Sequence, residues 1–143
     1  MKSRLAILLT VGFVVGLKTH AAGELLINGR ESGGDGHRCS VSIESGKSDY
    51  SGKKYRVLEY MNDFGSTSFT IQKENNEVMK GSFERHAPSS SWGFGDYTPE
   101  EKSNGTIEVL LEEKKAHVKV ENCTKRRLIP GFRCKRYDLV CSE

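Results

Sequence analysis

The chain lacks the features of a helical, a membrane-spanning or a motif-bearing catalytic protein. No long segment carries an apolar period of 3.6 residues, so amphipathic helices are not its building blocks. Beyond Leu17 no apolar run is long enough to cross a bilayer as a helix, and the processed protein is expected to be soluble. There is no internal repeat and no low-complexity tract, which sets aside a solenoid. Neither G-x-S-x-G nor H-E-x-x-H occurs. The stretch GRESGGDGHR (29–38) has glycines without the lysine and following helix of a phosphate loop, and reads as a flexible turn. Beyond His20, the histidines are His37, His86 and His117, and none lies in a nucleophile, metal or phosphate motif. No cofactor, metal or catalytic residue is expected. An unrecognised hydrolase, built from residues that converge only in space, stands as a further alternative behind two binding readings.

What is present begins with MKSRLAILLTVGFVVGLKTHAAG. Lys2 and Arg4 give a positive start, and Leu5 to Leu17 is an apolar run of 13 residues, short for a span. Thr19-His20-Ala21 then places small residues where a signal peptidase reads. Residues 1–21 are therefore expected to be a cleaved secretory signal, and 22–143 a single β domain, periplasmic or secreted. No cysteine lies near the cleavage point, so a lipid anchor has no attachment residue there.

Loss of that segment would remove three cations and leave 19 basic residues against 19 acidic ones. The balance is uneven along the chain. Residues 22–113 hold 10 basic and 16 acidic groups, whereas residues 114–143 hold 9 and 3. Such asymmetry orients a protein at a charged partner. Zero overall charge in an exported protein argues against nucleic acid.

The body of the chain alternates with period 2 between turn signals. Strands are expected at 38–45, 55–61, 66–73, 77–85 and 134–141, with a first strand at 23–28. Ile107, Val109 and Leu111, then Ala116, Val118 and Val120, form a hairpin in which Leu111 faces Ala116, Val109 faces Val118 and Ile107 faces Val120. The fold class that follows is all-β: an antiparallel β-barrel or β-sandwich of about 7–9 short strands.

Four cysteines in an exported chain read as two disulfides, and their spacings lack the short paired gaps of a zinc site. If 134–141 is one strand, its ends lie about 23 Å apart at ~3.3 Å per residue, too far for a Cys134–Cys141 bridge. Placing Cys123 opposite Cys134 puts Val120 against Tyr137, Val118 against Leu139 and Ala116 against Cys141. The apolar residues then share one face. Cys123–Cys134 and Cys39–Cys141 are the expected pairs.

Three surfaces are candidates for binding an unknown protein or envelope component. The first is SGKKY, Ser51 to Tyr55, which resembles the Ser-Gly-x-x-Tyr loop of bacterial periplasmic lysozyme inhibitors. The match covers three fixed letters in five residues. The resemblance implies lysozyme as partner, with the Ser51 and Tyr55 hydroxyls donating to carboxylates and Lys53 or Lys54 adding charge. The second is the basic tip KRRLIPGFRCKR (125–136), where Arg126, Arg127 and Phe132 sit among further cations and apolar residues. It suits peripheral contact with an anionic surface. The third is SSSWGFGDYTPEE (89–101), with Trp92, Phe94 and Tyr97 spaced by glycines. It reads as neither helix nor strand, inside a connection (86–104) of nearly 20 residues. Aromatics in such a loop suit either a plug over an open barrel end or a contact surface. The primary expectation is an exported, non-catalytic binding protein acting through a loop or barrel-end surface, with the lysozyme inhibitor as alternative.

Overall fold

A computed structural model describes residues 20–32, 36–47, 51–92 and 96–143. The expected signal segment lies outside the described residues as far as position 19. Eight strands carry the body: β1 (Leu25–Ser32), β2 (Arg38–Lys47), β3 (Lys54–Asn62), β4 (Gly65–Glu74), β5 (Val78–Ala87), β8 (Glu101–Leu110), β9 (Lys115–Lys125) and β10 (Phe132–Ser142). They close into an antiparallel ring in the order β1-β10-β9-β8-β5-β4-β3-β2. Two short strands, β6 (Ser90–Trp92) and β7 (Asp96–Thr98), pair only with each other. The chain is therefore all-β with two disulfides, as its alternation and cysteine spacing indicate.

Alternation explains the inside of the ring. Cys39, Val41 and Ile43 of β2 point inward, as do Leu58 and Tyr60 of β3, Ile107 and Val109 of β8, and Ala116 and Val118 of β9. Phe69 and Met79 fill the middle, and Phe83 meets Phe69 edge to face at 5.3 Å. Each such large side chain contributes roughly 1.5–3 kcal/mol by leaving water.

Both disulfides join the expected pairs. Cys123–Cys134 links directly opposed residues of β9 and β10, with Cα atoms 4.0 Å apart. Cys39–Cys141 passes from β2 to β10 across β1, which lies between them. It spans the shortest pairing of the ring among the described residues, where β1 meets β10 over Arg30↔Ser142, Glu31↔Cys141 and Ser32↔Val140. The end of β10 lies so close to β1 that a Cβ on Gly29 would stand 2.0 Å from the Ser142 carbonyl oxygen.

Three expectations need correction. The first strand is Leu25–Ser32, so Gly29 to Ser32 belong to it and not to a flexible turn. A register irregularity between Leu25 and Ile27 buries both Leu26 and Ile27, which breaks the alternation that would have marked this strand. The hairpin register is shifted by two: Val109 faces Ala116, Ile107 faces Val118 and Gly105 faces Val120. The turn occupies Leu111 to Lys114, with Lys114 in the left-handed region at φ 52°, and the Leu111 N–H donates to Glu77 at 2.9 Å instead of joining β9. An even shift keeps every residue on its expected face. Third, β5 and β8 remain paired to Ala87↔Glu101, so the connection shrinks to residues 88–100 and holds the β6–β7 hairpin. Backbone ladder bonds there need no apolar alternation, and none marks them.

The up-and-down order sends successive connections to opposite ends. One end carries the β1–β2 and β3–β4 connections, the β6–β7 hairpin and the β9–β10 tip. The other carries the β2–β3 loop, the β4–β5 turn and the β8–β9 turn.

Candidate functional site

Two of the three candidate surfaces share one end of the ring. Strands β8, β9 and β10 stay in register to Glu101↔Thr124 and Phe132↔Lys125, forming an arm that ends in the basic tip. The tip is fixed at its base by Cys123–Cys134 and closed by the Arg126 N–H, which donates to the Gly131 carbonyl at 3.0 Å. Gly131 sits at φ 102°, a conformation open to glycine and strained for other residues. At the apex Leu128 is 93% exposed and Ile129 60%.

One side-chain contact ties the hairpin to the tip, and a second ties β8 to it. The Arg127 guanidinium lies 5.9 Å from the centroid of the Tyr97 ring, and the Lys102 ammonium lies 4.7 Å from that of Phe132. Both are cation–π distances. Glu100 anchors the junction. Its carboxyl group bonds His86 Nε2 at 2.7 Å and lies 4.0 Å from the Lys102 Nζ and 3.9 Å from that of Lys125. Its backbone carbonyl accepts the Lys125 N–H at 2.9 Å. The His86 bond, aided by the charges of Lys102, His86 and Lys125, holds the Glu100 carboxyl below its ordinary range against a smaller desolvation effect. Arg136 pairs with Glu121 at 2.5 Å, and Arg126 and Arg133 are exposed.

Of the aromatic stretch, Tyr97 is exposed on β7 opposite Ser91. The Trp92 backbone pairs with Asp96. The Trp92 side chain and all of Phe94 lie outside the described residues.

Ser51, Lys53 and Tyr55 occupy the opposite end. Gly52 at φ 65° turns the chain, and the Ser51 Oγ accepts the Lys53 N–H at 3.3 Å. Tyr55 is half exposed and lies along β2, where its ring fills the space a Cβ on Gly46 would need. The structure therefore brings together Tyr97, Arg126, Arg127 and Phe132, and separates them from the Ser-Gly-x-x-Tyr loop.

One polar cluster was missed in the sequence. Glu31 is the buried charged residue among those described, and it faces the ring interior. The Tyr60 hydroxyl and the Asn62 amide both donate to its Oε1, the latter at 2.9 Å. Burial first, and then Glu31, push the Tyr60 hydroxyl far above the ordinary tyrosine range. Counting by twos from Ile27 through Gly29 to Glu31 would have found this position. Three histidine–carboxylate pairs, His20–Glu24, His37–Asp63 and His86–Glu100, lie nearer solvent. Glu121, Cys123 and Cys134 cluster as metal ligands would, but the disulfide consumes both thiols and leaves one carboxylate.

No protein-family model, no curated protein and no solved structure matches the chain.

Proposed function

We propose that the protein is an exported, non-catalytic binding protein whose contact surface is the arm end: the β6–β7 hairpin together with the β9–β10 tip. The observation that carries this reading is the Arg127–Tyr97 contact. It joins two segments 30 residues apart in sequence into one cationic and aromatic surface. Both are enriched in the residue types that supply binding energy at interfaces. Two disulfides are consistent with an oxidising, exported setting.

The test is capture from the native envelope or extracellular fraction by the processed protein. Tyr97→Ala and Arg127→Ala are expected to reduce capture. Ser51→Ala and Tyr55→Ala, at the other end, are expected to leave it unchanged. The reverse pattern would transfer the function to the Ser-Gly-x-x-Tyr loop.

That loop supports a second reading, the lysozyme inhibitor, on one observation: Ser51 in the β2–β3 connection and Tyr55 at the start of β3 are both exposed at the same end of the ring. A cell-wall turbidity assay decides it. Full lysozyme activity in the presence of excess protein, across several lysozyme types, removes this reading.

A further inference from the structure

The sequence from Asn122 to Tyr137 contains six basic residues and no acidic one. In the folded chain this run is the β9–β10 tip. Its outermost residues are apolar, with Leu128 at 93% exposure and Ile129 at 60%. Arg126 and Arg127 precede them and Arg133 follows, so cations ring an apolar point. The point does not depend on a partner to hold its shape. The Cys123–Cys134 bridge, the Arg126–Gly131 hydrogen bond and the Lys102–Phe132 and Arg127–Tyr97 contacts fix it in the isolated chain.

We propose that the tip docks the protein on an anionic lipid surface, with Leu128 and Ile129 entering the headgroup region and the surrounding arginines and lysines meeting lipid phosphates. This rests on the reading of the arm end as the contact surface. Charge complementarity identifies the class of partner: a cationic ring suits an anionic surface, and an apolar apex suits the acyl boundary beneath the headgroups. Shape separates a bilayer from an acidic protein. An acidic protein would have to offer a pocket shaped to the apolar apex, because protein interfaces pack to the density of protein interiors. The apex here is the loop from Arg126 to Gly131, six residues at a projecting hairpin end. A fluid lipid surface accepts a projecting point without a matching cavity.

The experiment uses the processed protein isolated from its exported fraction and flotation with vesicles. One set is phosphatidylcholine alone, the other phosphatidylcholine with one-third phosphatidylglycerol. Binding is expected with the anionic vesicles only, and it should weaken steeply at about 1 M salt, where screening shortens to ~3 Å. Leu128→Ser with Ile129→Ser, and separately Arg126→Glu with Arg127→Glu, should each lower binding about tenfold or more. Unchanged thermal unfolding of each variant would show that the fold is intact. Equal binding to both vesicle sets, or binding indifferent to either variant, overturns the proposal. Absent vesicle binding with tip-dependent capture of a soluble acidic protein also overturns it, but leaves the arm end as the contact surface. Tip variants that change neither vesicle binding nor capture remove both readings.

Discussion

The Tyr60 hydroxyl donates to the Glu31 carboxyl oxygen inside the ring, and the Asn62 amide donates to the same oxygen. This acceptor, shared by residues of β3, ties β1 to a strand that is not its neighbour, because β2 lies between them. It sits beside the interior disulfide, since Glu31 is paired with Cys141 and Asn62 with Cys39. The seam where β1 meets β10 is thus flanked inside the ring by a covalent link from β10 to β2 and a polar link from β1 to β3.

The raised Tyr60 pKa has a defined consequence at high pH. The unfolded chain releases that proton in the ordinary range near ~10, whereas the folded chain retains it. The stabilisation is complete below the unfolded value and is lost as pH rises from there towards the folded one. Alkaline difference absorbance should show one tyrosine that ionises only with unfolding, and Tyr60→Phe should abolish that component. If all tyrosines titrate together in the folded protein, Tyr60 is not held as described. Glu31→Ala should cost about 1–3 kcal/mol in urea unfolding, because it strands two donors.

The two disulfides should differ in their effect on stability. Cys39–Cys141 closes a separation of 102 residues and Cys123–Cys134 one of 11. In the chain-entropy account the first contributes up to about 4.7 kcal/mol and the second just under ~3 kcal/mol. Replacing each pair by alanine and comparing denaturation midpoints measures the difference. Equal losses would mean that residual structure in the unfolded chain, and not loop length, sets the effect. Non-reducing peptide mapping should return these two linkages and no free thiol.

These pairings were legible from spacing because two opposed strands restrict which cysteines can meet. The faces were legible too, since alternation depends only on parity. Register was not: Leu111 paired with Ala116 and Val109 paired with Ala116 put the same residues inside, and apolar pattern does not separate them. Strand extensions beyond the core were invisible for a related reason. His86 and Ala87 pair with Lys102 and Glu101 in the backbone ladder, and all four side chains are exposed. The arm end was half legible. Residue type marked Tyr97, Arg127 and Phe132, but only the fold shows that the hairpin and tip touch while Ser51 and Tyr55 lie at the far end.

Closure of the ring should depend on the missing side chain at Gly29. A Cβ there would lie 2.0 Å from the Ser142 oxygen and 2.8 Å from the Glu143 nitrogen, both backbone atoms that cannot rotate away. Gly29→Ala should therefore cost about 1–3 kcal/mol, the usual range for overpacking. Hydrogen exchange should report the loss first at the β1–β10 pairing. A variant as stable as the parent, with that seam still protected, would show that the two strands have room to separate.

At the arm junction, the Glu100 carboxyl should titrate below its ordinary range, principally because of the His86 hydrogen bond. Its contribution is present above the unfolded carboxylate value and is lost as pH falls through the lowered one. The carboxyl carbon resonance of Glu100 measures this directly. His86→Ala should move the midpoint back up. A midpoint that stays low in that variant would assign the effect to Lys102 and Lys125 instead.

The link between hairpin and tip is open to a double-mutant cycle. Tyr97→Ala, Arg127→Ala and the double variant should give a coupling of about 0.5–1 kcal/mol in stability, the scale of an exposed cation–π contact. Each single variant should change stability little, since both residues lie at the surface. The same cycle read on partner capture should show coupling of the same sign, because loss of either residue frees the other from a preformed surface. Additive effects in both measurements would separate the two segments energetically. The β6–β7 hairpin would then be an appendage of the β5–β8 connection, and any binding by the tip would have to stand on Arg126, Arg133 and the exposed apex alone.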